Sequence, residues 1–298
     1  MLRSIERFAQ SRLLFPVLLL GPSGSGKTFL GRYLALRSGH PDRITEVNAA
    51  SIPGELAVAE LFGHSQGAFT DAKGDRRGAL ERANGGVLFL DEIGHLHLRA
   101  QALLLTALET GRFNRLGDGR QTEVRVRLIL ATNRSLDELV RSGQMLADFC
   151  NRINLFSVTM PGLSERRDDI LPMARHYLKH LSATDGKGRN YSLTREAESL
   201  LVNAPWPLHL RGLWGACHRA TIDADSPVLS SDLFPAHLTH GAETSADVLD
   251  FDIEVRRITE ALIAARGNKS EAARRLGWSL SKLKNRLRRN REAASGGT

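Results

Sequence analysis

Cysteine is almost missing from this chain: Cys150 and Cys217 are the only two in 298 residues, and neither has a partner at metal-ligand spacing. That excludes a disulfide framework and a cysteine zinc site, and it fits two reduced thiols in a cytosolic protein. Aromatic residues are also sparse, at 6%. The longest apolar run, Leu13 to Leu20, covers about eight residues and contains Pro16, too short for a bilayer span and suited to a buried strand. Met1 to Phe15 carries Arg3, Arg7 and Arg12 along its length, which does not read as a cleavable export signal. The expectation is a cytoplasmic protein with no membrane partner. His95 and His97 lie two apart and read as polar loop residues rather than metal ligands. Trp206, Trp214 and Trp278 read as packing residues.

Charge is present, and its location is informative. Phe251 to Arg291 holds twelve Lys/Arg against four Asp/Glu, which accounts for the whole formal charge of +8. A neutral body with a basic end points to a nucleic-acid-binding tail. On charge alone, a solvated basic helix face is an equal alternative.

Along the body, strand and helix signals alternate, as in an α/β sheet. VLLL (17 to 20), ITEVNA (44 to 49), VLFLDE (87 to 92) and VRLILATN (126 to 133) read as strands. Lys27 to Arg37 and Leu98 to Thr110 read as helices, and Phe113 to Val126 as a hairpin turning at Gly117-Asp118-Gly119. After Pro161 the strand signals fade. Asp168 to Leu181, Thr194 to Asn203 and Leu210 to Thr221 look helical, and Ala183 to Asn190 reads as a loop. The expected division is a nucleotide-binding α/β part over 1–160, a helical part over 161–238, a polar linker over 239–250 and a DNA-binding part over 251–292.

The first strand runs into GPSGSGKT, residues Gly21, Pro22, Ser23, Gly24, Ser25, Gly26, Lys27 and Thr28. This fits the phosphate-binding pattern G-x-x-x-x-G-K-[ST] in full, between a strand and a helix. Glycines let the backbone turn its N–H groups toward phosphate oxygens, and the helix N-terminus adds a favourable dipole. Lys27 would neutralise the β- and γ-phosphates of ATP, and the Thr28 hydroxyl would ligate Mg²⁺. GGVLFLDE carries two carboxylates to a strand end: Asp91 for the Mg²⁺ shell, and Glu92 to orient and deprotonate the attacking water. Asn133, ending another strand, can reach a γ-phosphate or that water.

The order GPSGSGKT, ELFGHSQGAFTDA, GGVLFLDEIG, RLILATN, RINLFSVTMPGLSERRDDI and WPLHLRGL resembles the AAA+ domain of sigma-54-dependent activators, the bacterial enhancer-binding proteins. The likeness covers roughly Leu14 to Leu238. GPSGSGKTFL, EVNAAS and RINLFSVTMPGL look closest to the branch that regulates RNA-repair operons. The resemblance implies an α/β P-loop NTPase with a parallel sheet and a helical lid, assembled as a hexamer or heptamer. The family's GAFTGA loop, which touches sigma-54, is here GAFTDA: Gly67, Ala68, Phe69, Thr70, Asp71 and Ala72. Asp71 replaces the second glycine. Asn48 matches the asparagine that restrains the catalytic glutamate, and Thr132 and Asn133 match sensor I. Arg211 matches the sensor II arginine, with Leu208, His209 and Gly212 departing from the usual WPGN-x-REL. Arg152 matches the second of two arginine fingers, while Leu146 stands where the first would be.

GNKSEAARRLGWSLSKLKNRLRR, near the end, resembles the Fis-type DNA-binding domain. Gly267-Asn268 reads as a helix stop, Ser270 as the next N-cap and Gly277 as the turn. The second helix would enter the major groove, with Ser281, Lys282, Lys284, Asn285 and Arg286 as base or phosphate contacts. Such domains dimerise, so the DNA site should be palindromic. The combined expectation is an ATPase that binds upstream double-stranded DNA and remodels sigma-54 RNA polymerase holoenzyme in the bacterial cytoplasm, at the nucleoid. The alternative is a DNA-binding regulator or repressor whose AAA+ domain binds ATP without sigma-54 coupling, suggested by Asp71 and Leu146.

Overall fold

The computed structural model describes residues 15–38, 43–68, 74–184, 188–235, 238, 269–276 and 278. The chain divides into two compact units, Met1–Leu233 and Phe234–Thr298. In the first unit the strands are β1 (Val17–Leu20), β2 (Ile44–Asn48), β3 (Gly63–His64), β4 (Arg76–Arg77), β5 (Val87–Asp91), β6 (Arg112–Asn114), β7 (Gln121–Glu123), β8 (Arg127–Thr132), β9 (Ser157–Thr159), β10 (Ser192–Leu193) and β11 (Val228–Leu229). Its helices are α1 (Lys27–Arg37), α2 (Ala57–Phe62), α3 (Ala79–Arg82), α4 (Leu98–Thr110), α5 (Leu136–Arg141), α6 (Ala147–Ile153), α7 (Ile170–Thr184), α8 (Arg195–Asn203) and α9 (His209–Asp223).

The main sheet is parallel, in the order β2-β5-β8-β1-β9. Parallel strands are covered on both faces, which explains their unbroken apolar runs. Leu18, Leu88, Leu90, Leu128 and Leu130 pack into one core with α2 and α4. Their neighbours Leu19, Val87, Phe89, Ile129 and Ala131 pack into the other with α1. Period-two alternation therefore sorts residues between two cores rather than between core and solvent.

The register aligns Asn48 with Asp91 and Leu20 with Thr132. The β1, β2, β5 and β8 ends thus lie on one edge of the sheet, where ligands of open α/β folds bind. The hairpin expected from Phe113 to Val126 is β6 and β7, antiparallel. Helix α1 and helix α4 occupy the expected spans.

Several boundaries differ from the sequence reading. Glu92 is not strand: its φ is +54°, so β5 stops at Asp91. A fifth strand, β9, pairs with β1, and the short parallel pair β10–β11 lies in the helical part. Helix α7 continues to Thr184, into the span expected as loop. The Ser182 and Thr184 hydroxyls bond back to Leu178 O and His180 O, satisfying carbonyls of the last turn. In the second unit, helix α10 (Lys269–Arg275) already contains Ser270, so Ser270 is a helical residue and not its cap. The expected stop at Gly267-Asn268, the turn at Gly277 and the linker 239–250 lie outside the described residues.

Candidate functional site

The loop from Gly21 to Gly26 leaves β1 and turns into α1. Gly24 sits at φ +81°, and a Cβ there would lie 2.5 Å from Leu208 O, so both its backbone angle and its close neighbour require glycine. Lys27 is buried, and its Nζ donates to Gly21 O at 2.8 Å and Pro22 O at 3.0 Å. Burial lowers the Lys27 pKa, while the Glu92 and Asp91 carboxylates act to raise it. The Thr28 hydroxyl donates to Asp91 Oδ2 at 2.8 Å, and Asp91 Oδ1 accepts the Glu92 N–H at 2.9 Å. Asn48 Oδ1 accepts the Ala50 N–H at 2.9 Å, which fixes the side chain at the end of β2.

These residues surround a cavity of about 520 Å³, lined by Lys27, Thr28, Asn48, Asp91, Glu92 and Arg211 among others. Glu92 holds a left-handed backbone that non-glycine residues rarely adopt. Its Oε2 is buried without a hydrogen-bond partner. Strain and an unsatisfied carboxylate at one residue are features that collect at functional sites. Ser25 is also fully buried, inside the turn closed by its N–H to Pro22 O at 3.2 Å.

The helical part closes on this loop. Arg211 Nη1 donates to Ser23 Oγ at 3.3 Å, and the Leu210 N–H to Gly24 O at 3.0 Å. Arg166 Nη2 donates to Ser25 O. Burial lowers the pKa of Arg166, with Asp169 opposing. Arg166 was not singled out from sequence, although SERRDD surrounds it with charge. Phe29, Arg32 and Trp214 also line the cleft and were missed. Trp214 is not a core residue: it is 38% exposed and stacks on Tyr177 at 5.4 Å between ring centroids. Trp206, by contrast, is buried and donates from Nε1 to Leu201 O.

Of the catalytic candidates, Asn133 and Arg152 stand apart from the cavity lining. Asn133 is exposed just beyond β8, while Thr132 Oγ1 accepts the Arg134 N–H. Arg152, near the end of α6, reaches Leu108 O at 3.4 Å, and its Nε is buried without a partner.

Strands β3 and β4 pair antiparallel on either side of the Gly67–Ala72 stretch, of which only Gly67 and Ala68 are described. Gln66 N–H donates to Asp75 Oδ1 at 2.9 Å across its base. Gly117 of the neighbouring hairpin has φ +75°, and a Cβ there would lie 2.8 Å from the Ala68 Cβ. Leu116 ties hairpin to stem through Leu116 N–H to Gly63 O and Ser65 N–H to Leu116 O. Arg115 forms a bidentate pair with Glu81 at 3.0 and 2.7 Å, and Glu81 also holds Arg77 at 2.9 Å. Phe69, Thr70, Asp71 and Ala72 lie outside the described residues, as do Ser281, Lys282, Lys284, Asn285 and Arg286.

Comparison with known proteins finds three family matches along the chain. Residues 1–159 match the sigma-54 interaction domain, 164–249 an AAA+ ATPase lid domain, and 252–289 the Fis family of bacterial regulatory proteins. The phenol regulator MopR of Acinetobacter guillouiae is 37% identical over 291 residues, covering 92% of this chain and 51% of MopR. The DNA-binding transcriptional regulator NtrC of Salmonella typhimurium is 34% identical over 316 residues, covering 96% of this chain and 67% of NtrC. The crystal structure of NtrX from Brucella abortus in complex with ADP superposes with a TM-score of 0.71 at 28% identity, covering 96% of this chain and 66% of that one. The chain spans about half to two thirds of the length of the curated relatives it matches. With more than half of its residues matched by that one domain, the chain belongs to the sigma-54 interaction domain family.

Proposed function

We propose that this chain hydrolyses ATP with Mg²⁺ and uses the cycle to remodel sigma-54 RNA polymerase holoenzyme from an upstream DNA site. The observation that carries the reading is the convergence of Lys27, Thr28, Asp91, Glu92 and Asn48 on one cleft, with Arg211 reaching the same loop from the lid. Thr28 Oγ1 and Asp91 Oδ2 offer two hard oxygens 2.8 Å apart, the donor type that Mg²⁺ selects. Held by Thr28 and Asp91, Mg²⁺ would offset phosphate charge during hydrolysis.

The chain's own residues divide the remaining work. Lys27 holds the β- and γ-phosphates. Glu92 orients the attacking water and takes its proton at the carboxylate, a role that its unpartnered Oε2 supports. Asn48 restrains Glu92, and Asn133 approaches the γ-phosphate when the edge closes. Arg211 grips the phosphates from the lid. Arg152 acts in trans on a neighbouring subunit's nucleotide in a hexameric or heptameric ring, consistent with its place away from its own cleft. The 67–72 loop contacts sigma-54. Residues 281–286 contact a palindromic site in double-stranded DNA, in the cytoplasm at the nucleoid. GPSGSGKTFL, EVNAAS and RINLFSVTMPGL support a place in the branch that regulates RNA-repair operons.

The test is the ATPase rate per subunit against protein concentration, together with capture of sigma-54 in the presence of a trapped transition-state analogue. The expected result is a rate that rises with concentration and capture that depends on the analogue. Hydrolysis without capture favours the regulator that binds ATP without sigma-54 coupling. No hydrolysis at any concentration sinks the motor reading.

A further inference from the structure

His209 opens helix α9 two residues before Arg211, with its backbone at φ +50°. Its N–H donates to Trp206 O at 2.9 Å. Its Nδ1 accepts the Leu163 N–H at 3.0 Å. An imidazole accepts at Nδ1 only when that nitrogen carries no proton, so this bond selects the neutral ring protonated at Nε2. The ring lies against the backbone of Gly162, where an added Cβ would fall 2.8 Å from His209 Cε1.

Two routes run from this ring to the phosphate loop. Along α9, the Leu210 N–H meets Gly24 O and Arg211 meets Ser23. Through Leu163, the ring fixes a tight turn in which the Gly162 N–H bonds Glu165 Oε1 at 2.9 Å. That turn delivers Arg166 to Ser25 O. Leu163 and His209 therefore join two chain segments that grip three consecutive loop residues. Burial is the largest influence and disfavours protonation of the ring, the charges of Arg166 and Lys27 act in the same direction, and Glu165 opposes them.

We propose that His209 is a positioning residue whose neutral imidazole clamps the 162–166 turn to the start of the lid helix, so that Arg166 and Arg211 meet the nucleotide loop together. The inference rests on the nucleotide-binding reading of the cleft. Protonation at Nδ1 would oppose the Leu163 N–H and release the clamp. Burial lowers the folded-state pKa, so the clamp is fully present above the ordinary histidine value near 6.5 and is lost as pH falls further, through the lowered folded-state value.

The experiment measures the affinity of the whole chain for fluorescently labelled ADP from pH 8 down to the lowest pH at which the fold persists, for the unmodified chain and for His209→Asn and His209→Ala. Asparagine tolerates the left-handed backbone and offers an amide oxygen in place of Nδ1, but it does not titrate. The ratio of the two affinities cancels the titration of ADP itself. The ratio of unmodified chain to His209→Asn is expected near one at pH 8 and to fall, by up to about fivefold, as pH drops through the lowered folded-state value, the scale of one hydrogen bond. His209→Ala should bind several-fold more weakly at pH 8. A ratio independent of pH, or His209→Ala binding like the unmodified chain, overturns the clamp while leaving the nucleotide reading intact. Failure of the unmodified chain to bind ADP at any pH overturns both. If His209→Ala does not fold, the pH series with His209→Asn decides alone.

Discussion

The two walls of the nucleotide cleft are built on different principles. One wall is the edge of the sheet, where Asn48 and Asp91 end strands whose neighbours are buried on both faces. The other is the lid, which meets the loop through single hydrogen bonds from Arg166, Leu210 and Arg211. The sheet wall is held by apolar packing on both of its faces and is preorganised. The lid wall meets the loop through the buried Leu210 side chain and a few hydrogen bonds, each contributing about 1–3 kcal/mol net. On the proposed mechanism, the difference places chemistry on the sheet side and adjustment on the lid side.

Substitutions on the two walls should break in correspondingly different ways. The largest effect is expected from Glu92→Gln, which keeps the shape of the sheet wall and removes its base. Steady-state hydrolysis should fall by about a hundredfold to ten-thousandfold, while labelled ATP still binds. Loss of binding instead would mean that Glu92 supports the fold of the edge rather than the chemistry. Next comes Leu88→Ala, in the strand core beneath the site. It should cost about 2–5 kcal/mol in denaturant unfolding, with a matching fall in melting temperature. On the lid side, Arg211→Ala should weaken ADP binding about tenfold and leave the unfolding midpoint nearly unchanged. A large loss of stability there would erase the contrast between the walls. The smallest effect is expected from Trp214→Leu. Stability should move by about 1 kcal/mol, the worth of its stacking on Tyr177, and any change of tryptophan fluorescence on ADP addition should disappear.

The same division explains what was legible in the sequence. The sheet wall announces itself, because strands buried on both faces appear as apolar runs and the phosphate loop follows the first of them. Strand β9 escaped notice because it is three residues long and only Val158 within it is buried. The β10–β11 pair is shorter still. The lid's contributions were harder to read because they depend on which residues return to the loop after long intervals of chain. Arg166 and Ser25 are 141 positions apart, and no local pattern marks that meeting. Trp214 lies on the cleft side of α9, one turn beyond Arg211, but an aromatic residue in an amphipathic helix looks the same whether it faces a core or a cleft. The left-handed backbone of Glu92 is likewise invisible in VLFLDE, since nothing about glutamate favours it. The family resemblance singled out Arg211, which the structure places at the cleft, where periodicity could not.

The lid's grip on the phosphate loop also has a genetic consequence. Of the acceptors used by Arg166, Leu210 and Arg211, two are the peptide carbonyls of Gly24 and Ser25, and only the third is a side chain, the Ser23 hydroxyl. A codon change cannot delete a peptide carbonyl. Alleles that loosen the lid without touching the phosphate site should therefore accumulate in residues 163–211 and be nearly absent from residues 21–28. A collection of spontaneous mutants would carry that asymmetry as a one-sided map.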